Sequence, residues 1–272
     1  MEYPLLSLEL AREVEMAEAE AATACAARVQ ATSGLDSAAV RGVAGGFAVY
    51  CGANSPVTQA VGLGLNGPVS KEEFDWLEEF YFSRKEPVRV ESCPLADATL
   101  IEHYKDRGYF VSEFSNVMVR PVGNVKMPKA NEIEVQRAGD GELELWALTV
   151  AQGFAENYPV TKELLDVMKL FASANNTECF LARVAGRVAG GATLAARGRI
   201  AGLFGASTLP GFRGRGVQNA LLEARLWRAG ELECELAMSL AQPGGASQRN
   251  ITRQGFRTLY TRAKFERAFC PR

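Results

Sequence analysis

The fourteen residues from Leu209 to Leu222 limit the fold of this chain more than any other stretch. They read LPGFRGRGVQNALL, with a proline, three glycines and two arginines where a strand gives way to a helix. A plain turn needs one or two glycines. Here Gly211, Gly214 and Gly216 let main-chain N–H groups converge. A helix beginning near Gly214 points the positive end of its dipole at the same place. Arg213 and Arg215 add charge, and a guanidinium can grip phosphate with two prongs. The stretch reads as a phosphate cradle; the competing reading is a glycine-rich surface turn with two solvated arginines.

Context decides which phosphates are in question. A Walker A loop needs GxxxxGK[ST], which the sequence lacks, and a dinucleotide fingerprint needs GxGxxG early in a βαβ unit. The elements before this loop read differently. Glu132 to Arg137 alternates as a strand, and Asp140 to Phe154 places Leu143, Trp146, Ala147, Val150 and Ala151 at helical spacing. A second helix over Val160 to Ala172 has Thr161 as its cap. Glu178–Val184 and Val188–Ala196 form a hairpin about Ala185-Gly186-Arg187. Ile200 to Leu209 is a strand that runs into the glycine-rich loop. Beyond it come a helix (Gly214–Ala229), a strand (Glu235–Ala241) and a helix (Ala246–Gln254). Gly255-Phe256 then opens a final strand pair.

Composition narrows the rest. At 272 residues, 47% hydrophobic and 23% charged, the chain suits one large globular domain or two ordinary ones. Its longest apolar region, Cys179 to Pro210, is interrupted by four arginines, so no span of a bilayer is expected. The N-terminus carries glutamates where a secretory leader carries lysine or arginine, and it reads as an amphipathic helix. Six cysteines without CxxC pairs and a lone histidine, His103, argue against a metal site and suit a reducing cytoplasm. His103 itself reads as a surface helix residue, and Trp76, Trp146 and Trp227 as core packing. Residues 1–128 hold 11 Lys+Arg against 18 Asp+Glu, and residues 129–272 hold 19 against 14. That mild basic surplus suits a small polyanion and is too dispersed for a nucleic-acid groove.

A faint internal repeat accompanies this division. Pro121 to Asn131 reads as a linker. LIEHYKDRGYFVSEFSNVMVR (Leu100–Arg120) lies on SQRNITRQGFRTLYTRAKFER (Ser247–Arg267) without a gap, matching Gly108-Tyr109 to Gly255-Phe256. Upstream, SKEEFDWLEEFYF opens with a capping box, Ser70 to Glu73, and continues as an amphipathic helix.

The order strand, TLPGFRGRGVQNALL, helix resembles motif A of the GNAT superfamily of acyl-CoA-dependent N-acetyltransferases, [Arg/Gln]-x-x-Gly-x-[Gly/Ala]. Arg213 and Gly216 match it and Gln218 departs from it. A second family feature, a helix ending in Gly-Phe, stands at Gly255-Phe256. The resemblance runs from Glu132 to Arg267. It implies an α/β (α+β) fold with a mixed, mostly antiparallel GNAT-type sheet flanked by helices. Residues 130–272 would be the acetyl-CoA-binding domain and 1–122 a degenerate lobe of the same kind. It further implies that the strand ending at Ser207, Thr208 and Leu209 bonds the pantetheine arm and polarises the thioester. The N–H groups of Arg213, Gly214, Arg215, Gly216, Val217 and Gln218 would hold the pyrophosphate, and Ser247 and Asn250 would touch the pantetheine or adenine side. No metal is required. The acceptor would be a small-molecule amine or a peptide, with no nucleic-acid or membrane partner, and a homodimer stays open.

The family's usual acid, a tyrosine four residues before Gly255, is Ile251 here. Tyr260 is the nearest phenol in sequence, as a substitute acid or as a half-buried strand aromatic. Glu156, beside Tyr158 in the loop between the first two helices of the second half, is the candidate base, and a solvated loop glutamate is the alternative. The first half keeps a tyrosine at the matching place, Tyr104, but Gly62–Ser70 has glycines without the arginine of the motif. That half would serve as scaffold, or close over the acceptor. The alternative function is a non-catalytic acyl-CoA-binding sensor.

Overall fold

The computed structural model describes residues 2–34, 37–53, 55–123, 125, 132–155 and 158–270. Its helices are α1 (Leu8–Ser33), α2 (Lys71–Phe82), α3 (Thr99–Arg107), α4 (Leu143–Ala155), α5 (Lys162–Ser173), α6 (Val217–Glu231) and α7 (Ala246–Arg253). Five strands fall in the first half: β1 (Ala39–Val43), β2 (Gly46–Tyr50), β3 (Gln59–Val61), β4 (Val88–Ser92) and β5 (Phe110–Pro121). Six follow: β6 (Ile133–Arg137), β7 (Thr177–Val184), β8 (Arg187–Arg197), β9 (Ile200–Thr208), β10 (Leu236–Ala241) and β11 (Arg257–Arg267).

Two compact units partition the chain, and they do not follow the linear halves. The C-terminal unit comprises Val119–Ser239 and Asn250–Phe256 with Met1–Tyr3; the N-terminal unit comprises Pro4–Met118, Leu240–Arg249 and Arg257–Arg272. The expected final strand pair is one long strand, β11, and it completes the N-terminal unit. It pairs antiparallel with β4 from Ala263↔Ser92 to Arg267↔Val88. Its other edge faces β5, where Thr261–Asn116, Arg262–Ser115 and Lys264–Glu113 bond side chain to side chain in antiparallel register. Long-range strand partners leave no trace in local pattern, so the sequence reading kept β11 with its chain neighbours.

Within the N-terminal unit the strand order is β1-β2-β3-β4-β11-β5. Phe74, Leu77, Phe80 and Tyr81 line the buried face of α2, with Tyr104 of α3 and Val88 and Val90 of β4 in the same core. His103 is half-buried, stacked on Phe74 at 4.7 Å with Nε2 2.9 Å from the Val69 carbonyl, so it is not the surface residue expected. Trp76 is instead 40% exposed, against the expectation of core packing. The repeat is visible in geometry. α3, Gly108 and β5 recur as α7, Gly255 and β11 at a constant offset of 147 residues, and both glycines are left-handed, at φ 73° and 84°.

The C-terminal unit carries the order β10-β9-β8-β7-β6, antiparallel throughout except for β9 and β10. Helices cover both faces. A methyl at Gly191 would meet Trp146 and Val150 of α4, and one at Gly190 would meet Val217 of α6. Trp146 is fully buried and donates its indole N–H to the Ala192 carbonyl at 3.1 Å, which satisfies its one polar group. Thr161 caps α5 as expected, accepting the Leu164 N–H at 3.2 Å. The expected α6 begins three residues later than its pattern suggested, because Gly214 and Gly216 sit at φ 75° and 87° and cannot be helical.

Candidate active site

Two features of the C-terminal unit meet at the end of β9. The first is a fork. β10 runs parallel to β9 and pairs with it at Leu236↔Ile200, Ala237↔Ala201 and Met238↔Gly202. Past that point a side chain takes over, as Ser239 Oγ donates to the Leu203 carbonyl at 3.0 Å. On its other edge β9 bulges against β8, where the register shifts between Gly191↔Ser207 and Thr193↔Phe204. Gly205, inside the bulge, has φ 57°, a left-handed turn that bends the strand away from its path. The strand that should carry a thioester is therefore bent at the point where its parallel neighbour lets go.

The second feature is the start of α6. A helix leaves its first N–H groups without intrahelical partners. α1, α2 and α5 cover theirs with Ser7, Ser70 and Thr161. α6 has Gly216 as its N-cap and no side-chain cap. Gly214, Arg215 and Gly216 are exposed, and Val217 is buried. Glycine is demanded at 214 and 216 by backbone angle, since an added methyl would meet nothing at Gly214 and only Ile133 at 3.7 Å from Gly216. The result is an open, uncapped helix N-terminus flanked by Arg213 and Arg215, a place with the positive end of the helix dipole and two guanidinium groups together.

The other expected ligand residues divide. Arg213 reaches Gly153 of α4 with Nη2, 3.1 Å from its carbonyl, and so ties the loop to the C-terminus of α4. Ser207 is buried and donates to the Val150 carbonyl at 3.1 Å, and Thr208 pairs with Gly190 of β8. The Leu209 N–H is already used by the Ala189 carbonyl at 2.9 Å, so that donor is not open to a pantetheine arm, contrary to expectation. Gln218 accepts a bond from Asn250 Nδ2 at 2.7 Å, which turns its side chain sideways toward α7. Ser247 lies exposed on α7.

The two expected catalytic side chains fare worse. Glu156 lies outside the described residues. Tyr260 belongs to the N-terminal unit, is 6% exposed and donates its hydroxyl to Glu15 Oε1 at 2.7 Å. Burial, with the Glu15 charge beside it, pushes the phenol far above its ordinary range. Tyr260 is thus a core aromatic engaged in a structural network, and the substitute-acid reading is corrected. Ile251, where the family's acid would stand, is buried.

Sequence reasoning missed Arg225 altogether. It stands four residues after Leu221 and three after Leu222, on the stripe of α6 that faces the sheet, and it is 3% exposed. A charge on the apolar stripe of an amphipathic helix was the available signal.

The first half's counterpart of this site is closed. α2 begins where the phosphate loop would end, but its N-terminus holds its own carboxylate. Glu73 Oε2 accepts the Ser70 N–H at 2.9 Å while Ser70 Oγ accepts the Glu73 N–H at 3.1 Å. The Ser70 backbone bond holds the Glu73 carboxyl below its usual range. β3 and β4 pair in parallel only at Ala60↔Val90 and Val61↔Glu91. At that end an ion cluster fills the interior. Arg262 meets Glu15 at 3.2 Å, Glu18 at 2.6 Å and Glu91 at 3.0 Å, and Lys264 meets Glu91 at 3.0 Å. Burial raises the Glu15 carboxyl to about 7, against the lowering pull of Arg262.

This arrangement, a bulged strand forking from its parallel neighbour ahead of a glycine-started helix, is that of the GNAT acetyltransferase fold, present here in tandem. The solved structures it matches say the same. A GCN5-related N-acetyltransferase from Kribbella flavida aligns with TM-score 0.64 at 15% identity, covering 90% of this chain and 95% of that one. A tandem GNAT protein from the clavulanic acid biosynthesis pathway aligns with TM-score 0.59 at 13% identity, covering 98% of each chain. A GCN5-related N-acetyltransferase from Sphaerobacter thermophilus aligns with TM-score 0.57 at 14% identity, covering 74% of this chain and 68% of that one. No family model matches the sequence, and no curated protein does. No helix among the described residues is long and apolar enough to cross a membrane.

Proposed function

We propose that this protein is an N-acetyltransferase that passes the acetyl group of acetyl-CoA to the amine of a small molecule or peptide, with no metal taking part. The observation that carries the reading is the uncapped α6 N-terminus with left-handed Gly214 and Gly216, set at the end of the forked strand β9. Its N–H groups and the two flanking arginines suit a diphosphate, and the splay between β9 and β10 suits the acyl end. The chain's part in the chemistry is to orient. The amine nitrogen bonds to the thioester carbonyl carbon, the C–S bond breaks, and sulfur keeps its electron pair as thiolate. The proton lost by the amine goes to water, since no described side chain stands assigned as base. Only the C-terminal unit would bind acyl-CoA, because the first half's helix N-terminus is capped by Glu73.

The lack of a phenol at Ile251 and the commitment of Tyr260 to Glu15 favour a second reading, an acyl-CoA sensor without turnover. One pair of measurements tests both. Calorimetry with acetyl-CoA is expected to show one site per chain, and a free-thiol assay over an amine panel is expected to show release above the amine-free rate. Binding without release across the panel selects the sensor; absence of binding removes both.

A further inference from the structure

Arg225 is a buried guanidinium that meets no carboxylate among the described residues. Its Nε donates to the Leu221 carbonyl at 3.1 Å, and its Nη1 donates to the Thr193 carbonyl at 3.0 Å and reaches the Phe204 carbonyl at 3.4 Å. Buried arginines ordinarily sit opposite an acid. Desolvation alone draws this one down to about 9, and no charged group among the described residues of α6, β8 or β9 acts on it. A cation held only by carbonyl dipoles is costly to bury, so its place in the fold is informative.

That place is the bulge of β9. Phe204 lies two residues past Gly202, the last residue paired with β10, and its carbonyl also accepts Thr193 Oγ1 at 2.8 Å. With that carbonyl drawn toward β8 and Arg225, the planar trans peptide turns the Gly205 N–H the opposite way. β9 lies between β8 and β10, so the opposite way is into the fork.

We infer that Arg225 is a positioning residue of the acyl-transfer site: it locks the 204–205 peptide with its N–H facing the fork, and its uncompensated charge favours the departing thiolate. The inference rests on the acyl-CoA reading above. It supplies by electrostatics what the family's hydroxyl acid supplies by proton transfer. When the C–S bond breaks, the electron pair stays on sulfur beside a fixed positive charge, and the thiolate takes its proton later from water. At an effective dielectric near 20, a unit charge about 12 Å away moves a thiol by about one pH unit.

The test uses the full chain with coenzyme A itself. Calorimetry first measures its binding, and ultraviolet thiolate absorbance then follows the bound thiol against pH. The wild-type complex is expected to ionise about one unit below the free coenzyme. Arg225→Met should bring that midpoint back to the free value while binding stays within about threefold, because the phosphate site is elsewhere on α6. Arg225→Lys, which keeps the charge, should retain at least half of the shift. A wild-type thiol that ionises like free coenzyme A overturns the inference, as does an unchanged shift in Arg225→Met. Should that variant not fold, loss of the whole shift in a folded Arg225→Lys overturns it equally. Failure of the wild type to bind coenzyme A would instead remove the acyl-CoA reading on which the inference stands.

Discussion

Gly216 and Glu15 show how single residues set the properties of each unit. A side chain at φ 87° is strained by about 1–2 kcal/mol, and glutamate there also places an anion where the helix offers its positive end. Gly216→Glu is expected to weaken acetyl-CoA binding at least thirtyfold, with the melting temperature falling by only a few degrees; calorimetry and thermal unfolding check both halves of the statement. Glu15 acts through protons. Its folded carboxyl is raised to about 7 from an ordinary 4.5, so the folded state holds a proton the unfolded state releases between those values. The stability this contributes is full below about pH 4.5 and is lost as pH rises through 7. Glu15→Gln should therefore flatten the decline in unfolding free energy between pH 5 and pH 8, a span of order 2–3 kcal/mol, as read by urea titrations. The glycine loop was legible in the sequence because backbone freedom is a property of the residue itself. The partnership of Tyr260 with Glu15 was not, since it joins positions 245 apart in the chain.

At the scale of elements, α6 and β11 each do something their local sequence half discloses. α6 announced its start through glycines and hid Arg225 within an otherwise apolar stripe. β11 announced its strand character and concealed its partner. The consequence for β11 can be measured. Arg262 is 2% exposed and stands among buried Glu15 and Glu91 and half-buried Glu18, so replacing it takes the shared cation from all three acids. Arg262→Met is expected to cost about 3–5 kcal/mol in a urea denaturation series, far more than loss of an exposed ion pair such as Lys162–Asp166. Adding Glu15→Gln to Arg262→Met should recover part of that loss, because one of the acids crowded around the missing cation is gone; simple additivity of the two changes would argue against the shared cluster.

For the molecule as a whole, the tandem repeat was legible and its closure was not. The alignment of Leu100–Arg120 on Ser247–Arg267 reproduces the observed recurrence of helix, left-handed glycine and strand. What it could not convey is that the second copy of that strand serves the first unit, because hydrogen-bonded neighbours in a sheet are chosen by register and burial. A fragment ending at Pro121 lacks β11 and the only cation among the described residues that meets Glu15, Glu18 and Glu91 together. It is expected to give a poorly dispersed amide spectrum. The same fragment extended by a short turn and then Arg257–Arg267 follows the antiparallel neighbourhood of β5 and β11, and should give a folded one. Two well-dispersed spectra would show that β11 is dispensable.

The late position of β11 also orders events during synthesis. In most tandem proteins the N-terminal part folds while the rest is still being made. Here the edge of β4 stays open, and the carboxylates of Glu15 and Glu91 stay unmatched, until β11 has left the ribosome. The N-terminal unit is begun first, yet it is finished only after the strands of the C-terminal unit have been made. A chain released early carries a bare strand edge that invites pairing with another chain.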